Sequence, residues 1–254
     1  MLTIDRKNCT LVIQGNKTIW TTQFLEEYKK SFDHIILSTW EDEVIEDDTI
    51  KIIKSKKPSP GPGNCNLQIV STLEGIKQVK TEYCIKVRSD ILIKEPEKWL
   101  QFFSENWSTN RLFVLGLSNK YIFSARDQLF GGKTEDMLSL FSIPHLPGEY
   151  TPSPSINSMY PELWITLHYY SKFSEHAHLF LHNSGIYIYE GSMYRGVGQD
   201  VWSKIGTTYM YPVPRSLKYY WPKRFGENDY NYDETAITYG EFWHDDISNA
   251  DGLN

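Results

Sequence analysis

The chain has 254 residues, a formal net charge of −6 and a pI near 5.7. Its length suits one large domain, and its acidic balance offers no basic field for a nucleic-acid backbone, so we expect a single domain over residues 1–254 and no nucleic-acid partner. Three cysteines without metal-binding spacing predict reduced thiols in a cytoplasmic protein, and no apolar run predicts a transmembrane segment, whereas peripheral contact with a membrane stays open.

Short apolar runs alternate with helical patterns in the first third of the chain. The predicted strands cover residues 10–15, 34–41 and 49–54, and the predicted helices cover residues 23–31 and 67–80. A loop rich in proline and glycine, residues 56–64, precedes the second helix. This alternation predicts an α/β fold with a mostly parallel central sheet flanked by helices.

A polar triplet interrupts the most apolar stretch of the chain. Arg88, Ser89 and Asp90 separate the runs Cys84–Val87 and Ile91–Ile93. Burying polar groups without partners costs roughly a few kcal/mol each, so the strand is expected to end there and to open into a cleft. Ligands of open α/β sheets bind at the carboxyl ends of the strands. Arg88 could then hold phosphate and Asp90 a metal or a ribose hydroxyl, or the two could pair to close a surface turn.

Further elements follow in the second half of the chain. Predicted strands cover residues 111–116 and 121–132, the latter broken at Arg126–Asp127, and predicted helices cover residues 95–104, 134–141 and 160–172. The loop 144–157 is long enough to fold over a ligand. Beyond residue 175 we predict a strand over 186–190 and an aromatic tail of little periodicity.

The motifs of several enzyme classes are missing. The sequence contains no GxSxG elbow, no P-loop and no GxGxxG fingerprint. The histidines at 168, 176, 178 and 182 are interpreted as solvated or hydrogen-bonded rather than as metal ligands. The candidate functional groups are then three carboxylates, Asp90, Asp127 and Glu162. They fit the transfer of a sugar from a nucleotide, which needs groups that neutralise the diphosphate, bind the ribose and deprotonate the acceptor hydroxyl.

Six short motifs follow one another along the chain: Val12-Ile13-Gln14-Gly15, Ile36-Leu37-Ser38-Thr39-Trp40, Asn66-x-Gln68-x-x-Ser71-x-x-x-Gly75, Lys86-x-Arg88-Ser89-Asp90, Asp127-x-x-Phe130-x-Gly132 and Pro161-Glu162. Their order and spacing resemble the WavE-type lipopolysaccharide-synthesis family. The likeness covers residues 9–172. It implies a glycosyltransferase-A-type fold, with residues 9–142 binding the nucleotide sugar and residues 143–254 shaping the acceptor side. It also implies a nucleotide-diphosphate-sugar donor and a glycan or glycolipid acceptor of the lipopolysaccharide or capsule type, at the inner face of the membrane.

The resemblance assigns roles to particular residues. The donor-binding set is Gln14, Gly15, Ser38, Trp40, Asn66, Gln68, Arg88, Ser89 and Asp90. Asp90 is expected to ligate a divalent cation, Mn²⁺ or Mg²⁺. Because Arg88 stands where many glycosyltransferase-A enzymes have the first carboxylate of an Asp-x-Asp triplet, phosphate neutralisation by Arg88 without a metal is the alternative. Asp127 or Glu162 is expected to be the catalytic base, with Asp127 ranked first because the glycines at 131 and 132 follow it closely.

Two other functions fit the same sequence features. One is a non-catalytic protein of the same fold that binds a nucleotide or a glycan. The other is a nucleotidyltransferase, which would release pyrophosphate from a nucleoside triphosphate.

Overall fold

The computed structural model describes residues 3–107, 112–117, 125–146, 161–174, 209–213, 217 and 219–220. Within these residues the strands are Cys9–Gln14 (β1), His34–Trp40 (β2), Lys51–Ser55 (β3), Tyr83–Arg88 (β4), Leu92–Ile93 (β5), Leu112–Val114 (β6), Leu129–Lys133 (β7), Met210–Pro212 (β8) and Tyr219–Tyr220 (β9). The helices are Thr21–Lys29 (α1), Cys65–Ile76 (α2), Pro96–Asn106 (α3), Thr134–Phe141 (α4) and Pro161–Tyr170 (α5).

One mixed sheet organises the described part of the chain. Its strand order is β3-β2-β1-β4-β7-β6-β8, and β5 pairs separately with β9. The pairs among β1, β2, β3 and β4 are all parallel, as is the pair of β6 with β8. Strand β7 runs antiparallel to both of its neighbours. Helices cover both faces, and this mostly parallel sheet confirms the predicted fold class.

Strand alternation divides the core between the two faces of the sheet, because successive side chains of a strand point to opposite faces. Along β1, Leu11 and Ile13 belong to the cluster that also contains residues of α1 and α3, whereas Val12 belongs to the cluster with residues of α2, α4 and α5. Helix α2 lies close on the sheet at Gly75. A Cβ atom there would come within 2.7 Å of a methyl carbon of Val12 and 2.9 Å of the Cβ of Ser38.

Several predicted elements are confirmed with shifted ends. The helix predicted over 67–80 runs from Cys65 to Ile76, and the strand predicted over 111–116 is only Leu112–Val114. The predicted helix 134–141 has those bounds. The predicted break at Arg126–Asp127 exists, because the chain turns at 127–128 before β7 begins. The predicted strand 186–190 lies outside the described residues.

The second part of the chain also contributes to the main core. Leu146, Leu163 and Met210 are buried in the same cluster as Val12 and Cys84. Strand β8, for which no element was predicted, extends the sheet next to β6. None of the helices within the described ranges is long and apolar enough to cross a membrane.

Candidate active site

The predicted donor-binding residues of three strands meet at one edge of the sheet. Strands β2, β1 and β4 are parallel neighbours, so their carboxyl ends lie side by side. Gln14 is in register with Ser38 on one side and with Arg88 on the other. The structure therefore brings together the ends that the sequence singled out.

Hydrogen bonds connect these strand ends closely. The Gly15 amide donates to the Ser38 carbonyl at 3.1 Å, and the Ser89 amide donates to the Gln14 carbonyl at 2.8 Å. Gly15 has a φ of +123°, and a Cβ atom there would come within 2.9 Å of the Ser89 hydroxyl oxygen. Glycine is thus required at the turn that ends β1.

Asn16 joins the same edge, although the sequence reasoning did not select it. Its backbone carbonyl accepts a hydrogen bond from the Ser89 hydroxyl at 2.7 Å. Its side-chain oxygen accepts one from the Trp40 indole at 2.5 Å. Asn16 is exposed, whereas Trp40 is almost fully buried. The signal for Asn16 was its position directly after the glycine that ends a buried strand.

Arg88 and Asp90 form a bidentate ion pair. Arg88 Nε donates to Asp90 Oδ1 at 2.9 Å, and Arg88 Nη2 donates to Asp90 Oδ2 at 2.7 Å. Each side chain is 23% exposed, so the pair is partly open to solvent rather than enclosed in the core. Of the two predicted roles, binding a ligand or pairing with each other, the structure shows the pairing of Arg88 with Asp90.

This geometry bears on the expected metal site. Both oxygens of Asp90 already accept hydrogen bonds from a guanidinium, whose charge repels a second cation at the same carboxylate. Within the described residues, no group of three or more His, Cys, Asp or Glu side chains is arranged to hold a metal ion. A single carboxylate can still hold Mn²⁺ or Mg²⁺ beside donor phosphates, so the role of Asp90 as a metal ligand stays a prediction.

Asp127 lies at the same edge because β7 runs antiparallel to β4. The turn before β7 is therefore placed beside the end of β4, where the Arg88 amide donates to the Gln128 carbonyl at 3.2 Å. The Asp127 side chain is only 4% exposed. Its Oδ1 is buried and has no hydrogen-bond partner within the described part of the chain. A buried acceptor without a partner is costly and calls for an explanation, of which a catalytic role is one.

The backbone carbonyl of Asp127 is held by two side chains from different elements. Gln68 Nε2 of α2 donates to it at 3.1 Å, and Lys86 Nζ of β4 donates to it at very short range. Lys86 is fully buried. Burial lowers the pKa of Lys86 to about 7, although the charge of Asp127 acts in the opposite direction. The sequence reasoning placed Lys86 in a motif without giving it a role, yet a lysine between Ile85 and Val87 of a buried strand was a signal.

Glu162 approaches Asp127 from α5. The hydroxyl of Thr166, one turn further along this helix, accepts a hydrogen bond from the Ala125 amide at 3.3 Å. Burial, and next the charge of Asp127, raise the pKa of Glu162 to about 7, while Arg88 and Lys86 act in the opposite direction. Glu162 Oε2 is buried and, within the described ranges, accepts no hydrogen bond. The two candidate bases therefore form one interacting pair rather than two separate sites.

The predicted residues of α2 hold neighbouring segments in place. Asn66 exchanges two hydrogen bonds with the backbone of Leu146, donating to its carbonyl at 2.9 Å and accepting from its amide at 2.7 Å. The Ser71 hydroxyl donates to the side-chain oxygen of Gln14 at 2.7 Å. Asn66, Gln68 and Gln14 are all buried, so their observed contacts are within the protein.

The strand order and the helices on both faces define an α/β protein with a mostly parallel central sheet, as predicted. The sequence matches the model of the family described as WavE lipopolysaccharide synthesis over residues 20–159, more than half of the chain, and the protein belongs to this family. A comparison with curated proteins gave no match.

Solved structures show a distant likeness. HddC from Yersinia pseudotuberculosis is 12% identical with a TM-score of 0.35, over 54% of this chain and 80% of that one. TarS from S. aureus is 15% identical with a TM-score of 0.40, over 64% of this chain and 33% of that one. TarS 1-349 in complex with UDP-GlcNAc is 14% identical with a TM-score of 0.38, over 64% and 53%. Similarity at this level carries no functional assignment.

Proposed function

We propose that the protein is a glycosyltransferase that moves a sugar from a nucleotide-diphosphate-sugar donor to a hydroxyl of a cell-surface glycan of the lipopolysaccharide or capsule type. The observation that carries this proposal is the edge of the sheet where Arg88 lies beside the interacting carboxylates Asp127 and Glu162. Sugar transfer requires a positive group that neutralises the diphosphate and a base that deprotonates the acceptor hydroxyl, and these are the guanidinium and the carboxylates found here. Membership of the WavE family supports the same function.

Glu162 is the proposed base, with Asp127 as its partner. A general base works best when its pKa lies near the working pH, and the pKa of Glu162 is about 7. Oxygen of the acceptor hydroxyl bonds to the anomeric carbon, the bond from that carbon to the diphosphate oxygen breaks, and the hydroxyl proton moves to the Glu162 carboxylate. The nucleoside diphosphate leaves with the bonding electron pair, and this single displacement inverts the anomeric centre. The sequence ranking of Asp127 before Glu162 stays untested, and the proposal reverses it.

Arg88 is the proposed partner of the donor diphosphate. Its guanidinium fits phosphate oxygens in the bidentate way in which it now holds Asp90. Because both carboxylate oxygens of Asp90 are engaged by Arg88 in this pairing, we propose that Arg88 itself neutralises the charge of the diphosphate. EDTA is then expected to leave transfer unchanged, whereas Arg88→Ala is expected to weaken donor binding severely and Asp90→Asn to weaken it less. Suppression by EDTA with restoration by Mn²⁺ would instead support the metal-dependent alternative.

The test of the function is turnover of a panel of nucleotide-diphosphate sugars by the purified protein, with and without a lipopolysaccharide or capsule acceptor. Release of free nucleoside diphosphate that depends on the acceptor supports the proposal, and Glu162→Gln serves as the inactive control. A donor that binds without turnover indicates the non-catalytic alternative. Release of pyrophosphate from a nucleoside triphosphate indicates a nucleotidyltransferase. The cytoplasmic location at the inner face of the membrane stays a prediction.

A further inference from the structure

Lys86 is a charged side chain inside the sheet rather than at its edge. It occupies the middle of β4, in register with Val12, and its side chain is fully buried. Its ammonium nitrogen lies 5.8 Å from the ring centre of Phe130 and 5.9 Å from that of Phe141. Burying an ammonium group is costly, so a lysine at this position calls for an explanation beyond packing.

The contact that Lys86 makes is with the backbone of the site. Its Nζ donates to the carbonyl of Asp127, which also accepts from Gln68 Nε2 at 3.1 Å. The next residue of the same turn, Gln128, accepts from the Arg88 amide at 3.2 Å. Three hydrogen bonds thus hold the turn 127–128 against β4 and α2. The side chain of Asp127 makes none of these bonds, so the backbone is held while the carboxylate is left available.

We propose that Lys86 is a positioning residue, which holds the turn 127–128 by the Asp127 carbonyl and so sets the relative placement and charge of Asp127 and Glu162. This inference rests on the proposed function, since it assigns a role to those two carboxylates. A chemical reaction is sensitive to such placement, because an error of about 1 Å at the reacting groups can cost on the order of a hundredfold in rate.

Charge gives Lys86 a second effect on the same pair. Of the charged groups in the described residues, Asp127, Arg88, Asp90 and Glu162 act on Lys86. Glu162 in turn is acted on by Asp127, Arg88 and Lys86, and the thiol of Cys65 on α2 also lies within electrostatic range of both carboxylates. A protonated Lys86 favours the ionised form of Glu162. Removing Lys86 therefore raises the pKa of Glu162, and activity that needs ionised Glu162 is then reached only at higher pH.

The experiment compares three variants that replace a polar chain by the unbranched methionine. Lys86→Met removes both the hydrogen bond and the charge, and Gln68→Met removes only the second hydrogen bond to the same carbonyl. Lys54→Met is the matched control, because Lys54 is an exposed lysine on β3. Each variant is checked for folding by circular dichroism, and kcat and kcat/KM are each measured as a function of pH.

Lys86→Met is expected to lower kcat by about a hundredfold and to move the acidic limb of the pH profile upward by roughly one pH unit, the shift typical of a lost neighbouring charge. Gln68→Met is expected to lower kcat while leaving the limb in place, and Lys54→Met to change neither. An unchanged limb and an unchanged kcat in Lys86→Met overturn the proposal. A loss of kcat in Lys86→Met without any movement of the limb reduces Lys86 to a merely structural residue, which also overturns it.

A second measurement keeps this inference separate from the proposed function. The carboxyl group of Glu162 is titrated by NMR on protein labelled with ¹³C at glutamate, with the signal assigned from Glu162→Gln. Its midpoint is expected to rise in Lys86→Met and to stay unchanged in Lys54→Met, whether or not any donor is turned over. If the wild type transfers no sugar but the midpoint rises, the proposed function fails and the electrostatic role of Lys86 stands. If the midpoint does not move, the role of Lys86 fails irrespective of activity.

Discussion

The two faces of the central sheet are made from alternating residues of the same strands, yet they differ in chemistry. The face covered by α1 and α3 is apolar and aromatic, with Leu11, Leu37, Val87 and Phe113 among its residues. The face covered by α2, α4 and α5 carries a polar or charged residue on each of its three central parallel strands. These residues are Gln14 on β1, Ser38 on β2, and Lys86 and Arg88 on β4.

The difference shows that one sheet can combine a stabilising apolar face with a face that holds buried ionisable groups. The face covered by α1 and α3 contributes mainly apolar burial, and aromatic pairs such as Phe103 and Phe113, 4.3 Å apart between ring centres, add specific contacts. The face covered by α2, α4 and α5 contains buried ionisable groups, and burial disfavours the charged form of each. Burial therefore lowers the pKa of Lys86 to about 7 and raises the pKa of Glu162 to about 7. Groups that titrate near neutral pH are suited to proton transfer, and the apolar face offsets what they cost in stability.

The largest effect is expected from the polar face, at its carboxylate pair. Glu162→Gln is expected to lower turnover by about a hundred- to ten-thousandfold, because a general base typically contributes that factor. Donor affinity should stay nearly unchanged, since the amide keeps the shape of the side chain. Steady-state transfer kinetics together with calorimetric donor binding measure the two quantities.

Asp127→Asn is the matched variant on the other carboxylate. Without the charge of Asp127 the pKa of Glu162 should fall, so the acidic limb of the pH profile should move to lower pH while transfer is retained. Full turnover in Glu162→Gln combined with loss of turnover in Asp127→Asn would make Asp127 the base and restore the ranking that the sequence favoured.

A cavity on the apolar face is expected to affect stability alone. Phe103→Ala removes a buried ring that stacks on Phe113 and lies where a Cβ atom on Gly131 would come within 3.2 Å of it, and should lower the free energy of unfolding by about 3–5 kcal/mol. Urea unfolding followed by fluorescence measures the change. The limb of the pH profile should not move, because Phe103 lies across the sheet from Lys86. A shift of that limb in folded Phe103→Ala would show that the two faces are not independent.

The smallest expected effect is a dependence of the free energy of unfolding on pH, caused by the buried ionisable groups Lys86 and Glu162. Burial lowers the pKa of Lys86 to about 7, so above that pH the unfolded chain binds more protons than the folded one. Stability should therefore rise with pH from about 7 towards the unfolded pKa near 10.4, by up to about 1.4 kcal/mol per pH unit for this group. Unfolding by urea at pH 7 and pH 9 should show this gain in the wild type and a smaller gain in Lys86→Met.

Glu162 contributes with the opposite sign in a lower pH range. Its pKa is raised to about 7, so between the unfolded value near 4.3 and pH 7 the folded state binds more protons and stability falls as pH rises. Glu162→Gln should flatten that fall and leave the rise above pH 7 in place. Equal slopes in the wild type and in both variants would contradict the assigned burial of these two groups.

The sequence by itself determined the strands and the point at which the central one ends. Apolar runs bounded by polar and glycine residues identified β1, β2 and β4, and parallel neighbours bring their carboxyl ends together, which located Gln14, Ser38 and Arg88 at one edge. The break before β7 was also visible, since Asp127 interrupts an apolar stretch. These features are local, and local periodicity is sufficient to find them.

Tertiary structure alone decided which groups meet. Lys86 and Asp127 are 41 residues apart in the chain, and Gln68 and Asp127 are 59 apart, so no local pattern connects them. They meet because β7 inserts antiparallel beside β4, a pairing that periodicity does not predict, since the alternation of a strand is the same in either direction. The same pairing places the turn before β7 at the end of β4, and the packing of α5 then brings Glu162 to Asp127. Strand direction and helix packing, which depend on the whole core, brought Asp127 and Glu162 together near Arg88.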